Sequence, residues 1–358
     1  MQNEKRELLS LTLSELEEIL LSLGEPRYRA GQIFPQLHRG LAPEEMSNIG
    51  KVTQQKLQDA TYYHLPRVKR KLISAIDGTV KYLFELADGH AVESVVMHYE
   101  HGTTICISSQ VGCLMGCKFC ASTIGGKVRD LTPGELLGQV IAAAKDTGER
   151  IDGIVMMGIG EPLDNYDNVV RFLQLVNAEK GLNIGYRHIS LSTCGLVERI
   201  DRLAELKLPI TLSISLHAAD NETRSAIMPI NRRYPIEELL AACRRYYKTT
   251  GRRISFEYTL IAGKNDSTEA AVRLAELLNR ALRTRSEGMP IHVNLIPVNE
   301  VEETGFKRTG AKAVKAFAAT LERHGIRATV RRRLGADINA SCGQLRREDA
   351  KIGEAQNG

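Results

Sequence analysis

Hydrophobic residues fall at helical intervals in the first part of the chain and alternate with polar ones in short runs further on. Leu13, Leu16, Ile19, Leu20 and Leu23 line one helical face, and Thr12 with Glu15 supplies capping-box spacing at its start. Gly24 and Pro26 stop that helix. Two more helical patterns, Tyr28–His38 and Pro43–Tyr62, predict a small helical N-terminal domain over residues 1–80. Strand-like runs follow at Val80–Leu86, Ala91–Tyr99 and Thr103–Ser109, so residues 81–102 are expected to be linking strands.

From about residue 103 strand and helix alternate. Strands are predicted at Thr104–Ser109, Gly153–Met157, Arg187–Thr193, Ile210–His217, Ile254–Ile261 and Ile291–Pro297, with a last one at Arg327–Arg331. Helices are predicted at Pro133–Lys145, Asn168–Glu179, Val197–Leu206, Pro235–Lys248, Glu269–Arg283 and Ala311–His324. This rhythm specifies βαβ units on a parallel sheet. It fits an α/β fold with a partial (β/α)6 barrel over 103–334 and a C-terminal extension, 335–358, or a doubly wound flat sheet.

Parity within the strands separates the two. Leu212, Ile214 and Leu216 share one face, and Thr211, Ser213, Ser215 and His217 the other. Ser190 and Ser192 likewise oppose Ile189 and Leu191, while Ser255, Glu257 and Thr259 oppose Phe256, Tyr258 and Leu260. Sheets covered on both faces read as continuous apolar runs, and a filled closed barrel has bulky aliphatics inside. A repeatedly polar face favours a wide, incompletely closed barrel with a polar lumen over a single solvated face.

Composition narrows the function classes. The 358 residues are 43% hydrophobic and 25% charged, which excludes a disulfide miniprotein and a mostly disordered chain. No apolar run approaches the roughly 18 residues of a membrane span, and the N-terminus lacks a signal-peptide core. A soluble, cytoplasmic protein with no membrane partner is expected. Lys and Arg number 48 against 43 Asp and Glu, a net +5 compatible with a nucleic-acid partner without requiring one. Seven cysteines, an odd count, point to metal or catalytic roles rather than a disulfide framework.

Three of them stand together as Cys113-Leu-Met-Gly-Cys117-Lys-Phe-Cys120, just past the first strand of the rhythm, where barrel enzymes place their sites. Three thiols can converge on one metal centre and leave a coordination position open. A three-cysteine zinc site with a distant fourth ligand, or chance clustering, are the alternatives. The spacing C-x3-C-x-aromatic-C resembles the radical S-adenosylmethionine (SAM) superfamily. The ordered runs CISSQVGCLMGCKFCAST, MGIGEP, HISLSTCG, SISLHA, IPVN and GADINASCGQL resemble the RlmN/Cfr family of RNA adenine methyltransferases, from Thr103 to Arg347 and with a similar helical N-terminus.

The resemblance implies that Cys113, Cys117 and Cys120 hold a [4Fe–4S] cluster whose unique iron binds SAM. The Gly158–Pro162 turn carries a carboxylate that would repel phosphate but suits a cation, and the resemblance assigns Gly160 and Glu161 to SAM's ammonium. Ser192, Ser215 and His217 lie on the polar face and can hydrogen-bond SAM; the resemblance adds the backbone at Leu216 and Asn299. Cys106 has lumen parity with Thr104 and Ser108. Cys342 lies in a glycine-flanked loop, and the resemblance makes it the methyl-carrying cysteine, with Cys106 as its resolving partner. Glu93 resembles a proposed proton acceptor, although its own strand reads as carrying a solvated carboxylate. Cys194 has lumen parity and no implied role, and Cys243 reads as helix core.

Two thiols suit the implied chemistry, because carbon 2 of adenine is electron-poor and cannot displace SAM's methyl group directly, whereas a thiolate can. Two SAM molecules are implied per turnover, one as methyl donor to Cys342 and one as radical source. The expected substrates are 23S rRNA at the peptidyl-transferase centre and tRNA beside the anticodon. The expected electron donor is a flavodoxin or ferredoxin, and the expected state a monomer. Methylation at C8 of the same rRNA adenosine is the alternative within the family; a zinc-stabilised, non-catalytic RNA-binding protein is the alternative outside it. Basic pairs at Arg232-Arg233, Arg244-Arg245, Arg252-Arg253, Arg331–Arg333 and Arg346-Arg347 are solvated faces or a phosphate track.

Overall fold

The computed structural model describes residues 5–283, 288–300, 305–340, 345, 346 and 349. At its N-terminal end lie β1 (Arg6–Glu7), α1 (Leu13–Ser22), α2 (Tyr28–Leu37), α3 (Lys51–Ala60) and β2 (Thr61–Tyr62). The capping box forms: Thr12 Oγ1 accepts from the Glu15 N–H, and Glu15 Oε2 accepts from the Thr12 N–H at 2.8 Å. Leu16, Leu20, Ile33, Phe34 and Leu57 are buried in the main core. β1 pairs with β2 in parallel, a contact that two-residue strands cannot announce by periodicity. The Arg171 guanidinium donates to Glu15 Oε1 at 2.9 Å, tying this unit to the α/β part.

An antiparallel meander follows: β3 (Arg67–Ile73), β4 (Val80–Glu85), β5 (Ala91–Tyr99) and β6 (Gly102–Cys106). β3 falls inside the stretch expected to be helical, so sheet begins before residue 80. Its sequence, RVKRKLI, is that of an edge strand guarded by basic side chains, and that hides the alternation. A small hairpin, β7 (Gln110–Gly112) with β8 (Lys127–Asp130), brackets the cysteine loop.

The predicted rhythm then runs as α4 (Pro133–Thr147), β9 (Gly153–Met156), α5 (Tyr166–Asn177), β10 (Ile189–Thr193), α6 (Val197–Glu205), β11 (Thr211–Ser215), α7 (Asn221–Ile227), α8 (Ile236–Thr250), β12 (Ile254–Leu260), α9 (Thr268–Leu282), β13 (Ile291–Pro297), α10 (Ala311–Arg323) and β14 (Arg327–Val330). One ten-stranded sheet has the order β14-β13-β12-β11-β10-β9-β6-β5-β4-β3, parallel from β14 to β6. Among the described residues its two ends are not paired with each other, so the barrel is partial.

Strand parity partitions the sheet as expected. Leu191, Leu212, Ile214, Phe256, Tyr258 and Val293 are buried in the core with Leu137, Phe172, Leu203, Leu240 and Phe317 of the helices, and Cys243 is buried there too. The opposite face is a polar ladder. Ser190 and Ser213 hydroxyls lie 3.2 Å apart, Ser255 Oγ is 3.0 Å from His292 Nδ1, and Asn294 Nδ2 donates to Glu257 Oε2 at 2.7 Å. Buried polar groups require such partners, and these are supplied between neighbouring strands. No helix among the described residues is long and apolar enough to cross a membrane.

Candidate active site

The cysteine loop is fixed at its base by a glycine. Gly112 has φ +82°, and a Cβ there would strike the carbonyl oxygen of Gly126; the Cys113 N–H donates to that same oxygen at 3.1 Å. Further round, the Cys120 N–H donates to Cys117 O at 3.0 Å and the Lys118 N–H to Ile227 O at 2.9 Å, docking the loop on α7. Cys113, Cys117 and Cys120 line one cavity of about 200 Å³ with Gly160, Glu161, Ser192, Ser215 and His217.

Burial pushes the Cys113 thiol up to about 12 and the Cys117 thiol well above its ordinary value, with the neighbouring cysteines adding to the rise. Deprotonation of these thiols is therefore coupled to metal binding. Among the described residues no three His, Cys, Asp or Glu gather as one ion would need. A tetrahedral zinc draws its sulfurs to within ~4 Å of one another, whereas a four-iron cluster gives each cysteine its own iron. Three thiols that line one cavity match the number a four-iron cluster needs when one iron is left for a ligand.

Gly158 and Gly160 are dictated by packing. A Cβ on Gly158 would lie 2.5 Å from Ile107 O, and one on Gly160, at φ +106°, would lie 2.7 Å from Ser109 Oγ and from Gln110 Cβ. This close approach seats Glu161 at the cavity floor, 4% exposed. Its Oε1 accepts from the Leu163 N–H at 3.0 Å and its Oε2 from the Cys194 N–H at 2.8 Å. Burial raises its pKa, and among the described residues no cation pairs with it, so the site is suited to a cationic ligand.

His217 adopts φ +59° and is buried. The Thr259 N–H donates to its Nδ1 at 2.9 Å, which places the ring proton on Nε2. Burial, with the Arg224 charge beside it, holds the imidazole down to about 3, so it is a neutral donor. Phe119, the aromatic of the cysteine motif, meets the His217 ring edge-on at 5.0 Å. The lumen thus holds hydroxyls at 192 and 215, the His217 N–H, the Arg331 guanidinium and the carboxylates of Glu161 and Glu257 around the three thiols.

Two of the expected contact residues are not among those lining this cavity. Leu216 is fully buried among the core residues; its N–H donates to Glu257 O, and its carbonyl accepts from Arg224 Nε at 3.1 Å. Asn299 lines a second cavity, with Cys106, Arg308, Arg331–Arg333 and Ala340. Ile296 and Arg331 border both cavities, which makes them neighbours. Cys106 is 3% exposed and packs with Val95, Met97 and Ala340, as its lumen parity predicts. Cys342 and Arg347 lie outside the described residues. Glu93 is not solvated: it is 2% exposed because β5 is covered on both faces, and it faces Lys81. Sequence reasoning missed Lys81 and Arg224 as buried charges. A lysine inside the apolar run Val80–Phe84 was the one visible signal. Cys194 lines the first cavity.

Residues 107–275 match the profile of the radical SAM superfamily, and residues 6–62 match that of the ribosomal RNA large subunit methyltransferase N-terminal domain. A Clostridium novyi protein named "Probable dual-specificity RNA methyltransferase RlmN" is 52% identical over 344 residues, covering 96% of this chain and 98% of its own. One of the same name from Alkaliphilus oremlandii is 53% identical over 346 residues, with 96% and 98% coverage. The crystal structure of a radical SAM methyltransferase from Sphaerobacter thermophilus superposes with a TM-score of 0.88 at 44% identity, covering 95% of this chain and 98% of its own.

Proposed function

Because the chain belongs to the RlmN family of the radical SAM superfamily, we propose that it methylates carbon 2 of adenosine in 23S rRNA, at the peptidyl-transferase centre, and in tRNA beside the anticodon. Its cofactors are a [4Fe–4S] cluster and SAM. Bound, they supply the methyl group and the hydrogen-abstracting power that an electron-poor ring carbon requires. In this reading Cys113, Cys117 and Cys120 hold the cluster, Glu161 receives the ammonium of SAM, and Ser192, Ser215 and the Nε2–H of His217 orient its remaining polar groups.

The observation that carries the reading is the adjacency of the two cavities. Cys106 and Ala340 share the second one, beside the cavity lined by the three cysteines, and Cys342 follows Ala340 by two positions in sequence. The Cys342 thiolate would accept the methyl group; with one hydrogen atom abstracted, that carbon would bond to the adenine ring, and the adduct would give up one electron to the oxidised cluster. Glu93 accepts the ring proton. The Cys106 thiolate then attacks the Cys342 sulfur: an S–S bond forms, the C–S bond breaks, and its electron pair leaves with the new methyl carbon, which takes up a proton. Two electrons from an external flavodoxin or ferredoxin return the disulfide to thiols. Arg308 and Arg331–Arg333 at the second cavity provide charge for the phosphates of an RNA loop whose base is splayed out.

Mass spectrometry of the purified protein tests this directly. One extra methyl on Cys342 is expected, with 2-methyladenosine lost from rRNA and tRNA of cells lacking the gene. An unmodified Cys342 with no change in either RNA would refute the reading, and 8-methyladenosine in its place would overturn the C2 assignment.

A further inference from the structure

Beneath the cysteine loop lies a positive charge that no carboxylate among the described residues neutralises. Arg224, on α7, is 0% exposed. Its Nε donates to Leu216 O at 3.1 Å, Nη1 to Asn231 Oδ1 at 2.9 Å and Tyr234 O at 3.3 Å, and Nη2 to Cys194 O at 2.8 Å and Ser215 O at 3.2 Å. Every one of these acceptors is a neutral carbonyl or amide. Hydrogen bonding is satisfied but charge is not, and an unpaired buried charge is among the most costly features a fold can carry.

The position of that charge suggests its use. Cys194, whose carbonyl Arg224 holds, lines the cavity of Cys113, Cys117 and Cys120, and packs in one cluster with Cys117 and Ile227. Ile227, on the same helix as Arg224, accepts from the Lys118 N–H inside the cysteine motif. Three thiolates on an iron–sulfur core leave it with net negative charge, and reduction adds one more electron. Net charge and surroundings set the potential of such a centre.

We propose that Arg224 is the buried counter-charge of the cluster: it stabilises the reduced form and so sets the potential at which the electron enters. The inference rests on the reading that Cys113, Cys117 and Cys120 hold the cluster. Arg224 touches none of the reacting atoms and acts as a positioning residue for charge. A unit charge at ~10 Å across an effective dielectric of ~20 shifts a one-electron equilibrium by roughly tenfold.

Anaerobically reconstituted wild type, Asn231→Asp, Arg224→Lys and Arg224→Met are compared by redox titration, reading the reduced cluster by electron paramagnetic resonance. Asn231→Asp places a carboxylate against Nη1 and cancels the charge without removing the guanidinium. The reduced-to-oxidised ratio at a fixed potential is expected to fall about tenfold in Asn231→Asp and Arg224→Met, and to stay near wild type in Arg224→Lys. Circular dichroism identifies a variant that has not folded; the other neutralising variant then decides. Folded, cluster-loaded neutralising variants that titrate with wild type overturn the inference. A wild-type protein that takes up no iron–sulfur chromophore instead overturns the cysteine reading, and is told apart by that absence.

Discussion

Lys81 Nζ lies 3.1 Å from Glu93 Oε2, with the two side chains 1% and 2% exposed on neighbouring strands β4 and β5. The pair also grips the C-terminal segment. Lys81 Nζ donates to Asn339 O at 3.0 Å, and Glu93 Oε1 accepts from the Arg346 N–H at 2.7 Å. These two anchors flank position 342 in sequence. Breaking such a pair leaves a buried charge exposed to an apolar surround, so Lys81→Met is expected to destabilise the fold by about 3–5 kcal/mol. Adding Glu93→Gln should recover part of that loss. Urea denaturation of both single variants and the double variant measures the coupling; strictly additive losses would show the two side chains to be independent.

Acid sensitivity is expected from buried imidazoles. Burial holds His38 down to about 4 from an ordinary value of 6.5; its Nδ1 is buried without a hydrogen-bond partner and its ring packs on Phe34 at 4.3 Å. Between those values the unfolded chain binds a proton that the folded protein refuses. Stability therefore rises with pH through that window and falls as pH drops below 6.5. His38→Phe keeps the aromatic packing and removes one such site. From pH 6.5 to 4.5 it should lose about 2 kcal/mol less stability than wild type. Parallel stability curves for the two proteins would contradict this account of His38.

The turn that seats Glu161 has no room for a side chain. Gly158→Ala sets a Cβ against the Ile107 carbonyl oxygen at 2.5 Å and is expected to destabilise by about 1–3 kcal/mol while weakening SAM binding. Gly148→Ala, in a left-handed cap with open space around it, should cost about 1 kcal/mol and leave SAM binding unchanged. Thermal melts with equilibrium SAM binding separate the two. Equal SAM affinity in both variants would show that the turn does not set the position of Glu161.

What the sequence disclosed depended on how local each signal is. The polar row of Ser213, Ser255, His292 and Asn294 needs only a period of two, and the structure places all four on one face. Parity could not place Lys81 and Glu93, because β4 and β5 are buried on both faces. Arg224 was opaque for another reason. Its burial is decided by carbonyls at 194, 215, 216 and 234, which only the fold brings around one side chain. The strands β7 and β8 are too short for any period, and β3 hid behind its own basic residues.

In the proposed reaction Cys106 clears the bond between Cys342 and the base. Purified Cys106→Ala, expressed in cells that supply RNA, is expected to carry RNA covalently, with digestion leaving an adenosine joined through one carbon to the Cys342 sulfur. Cys106→Ala isolated free of RNA, and still forming 2-methyladenosine at the wild-type rate, would contradict it.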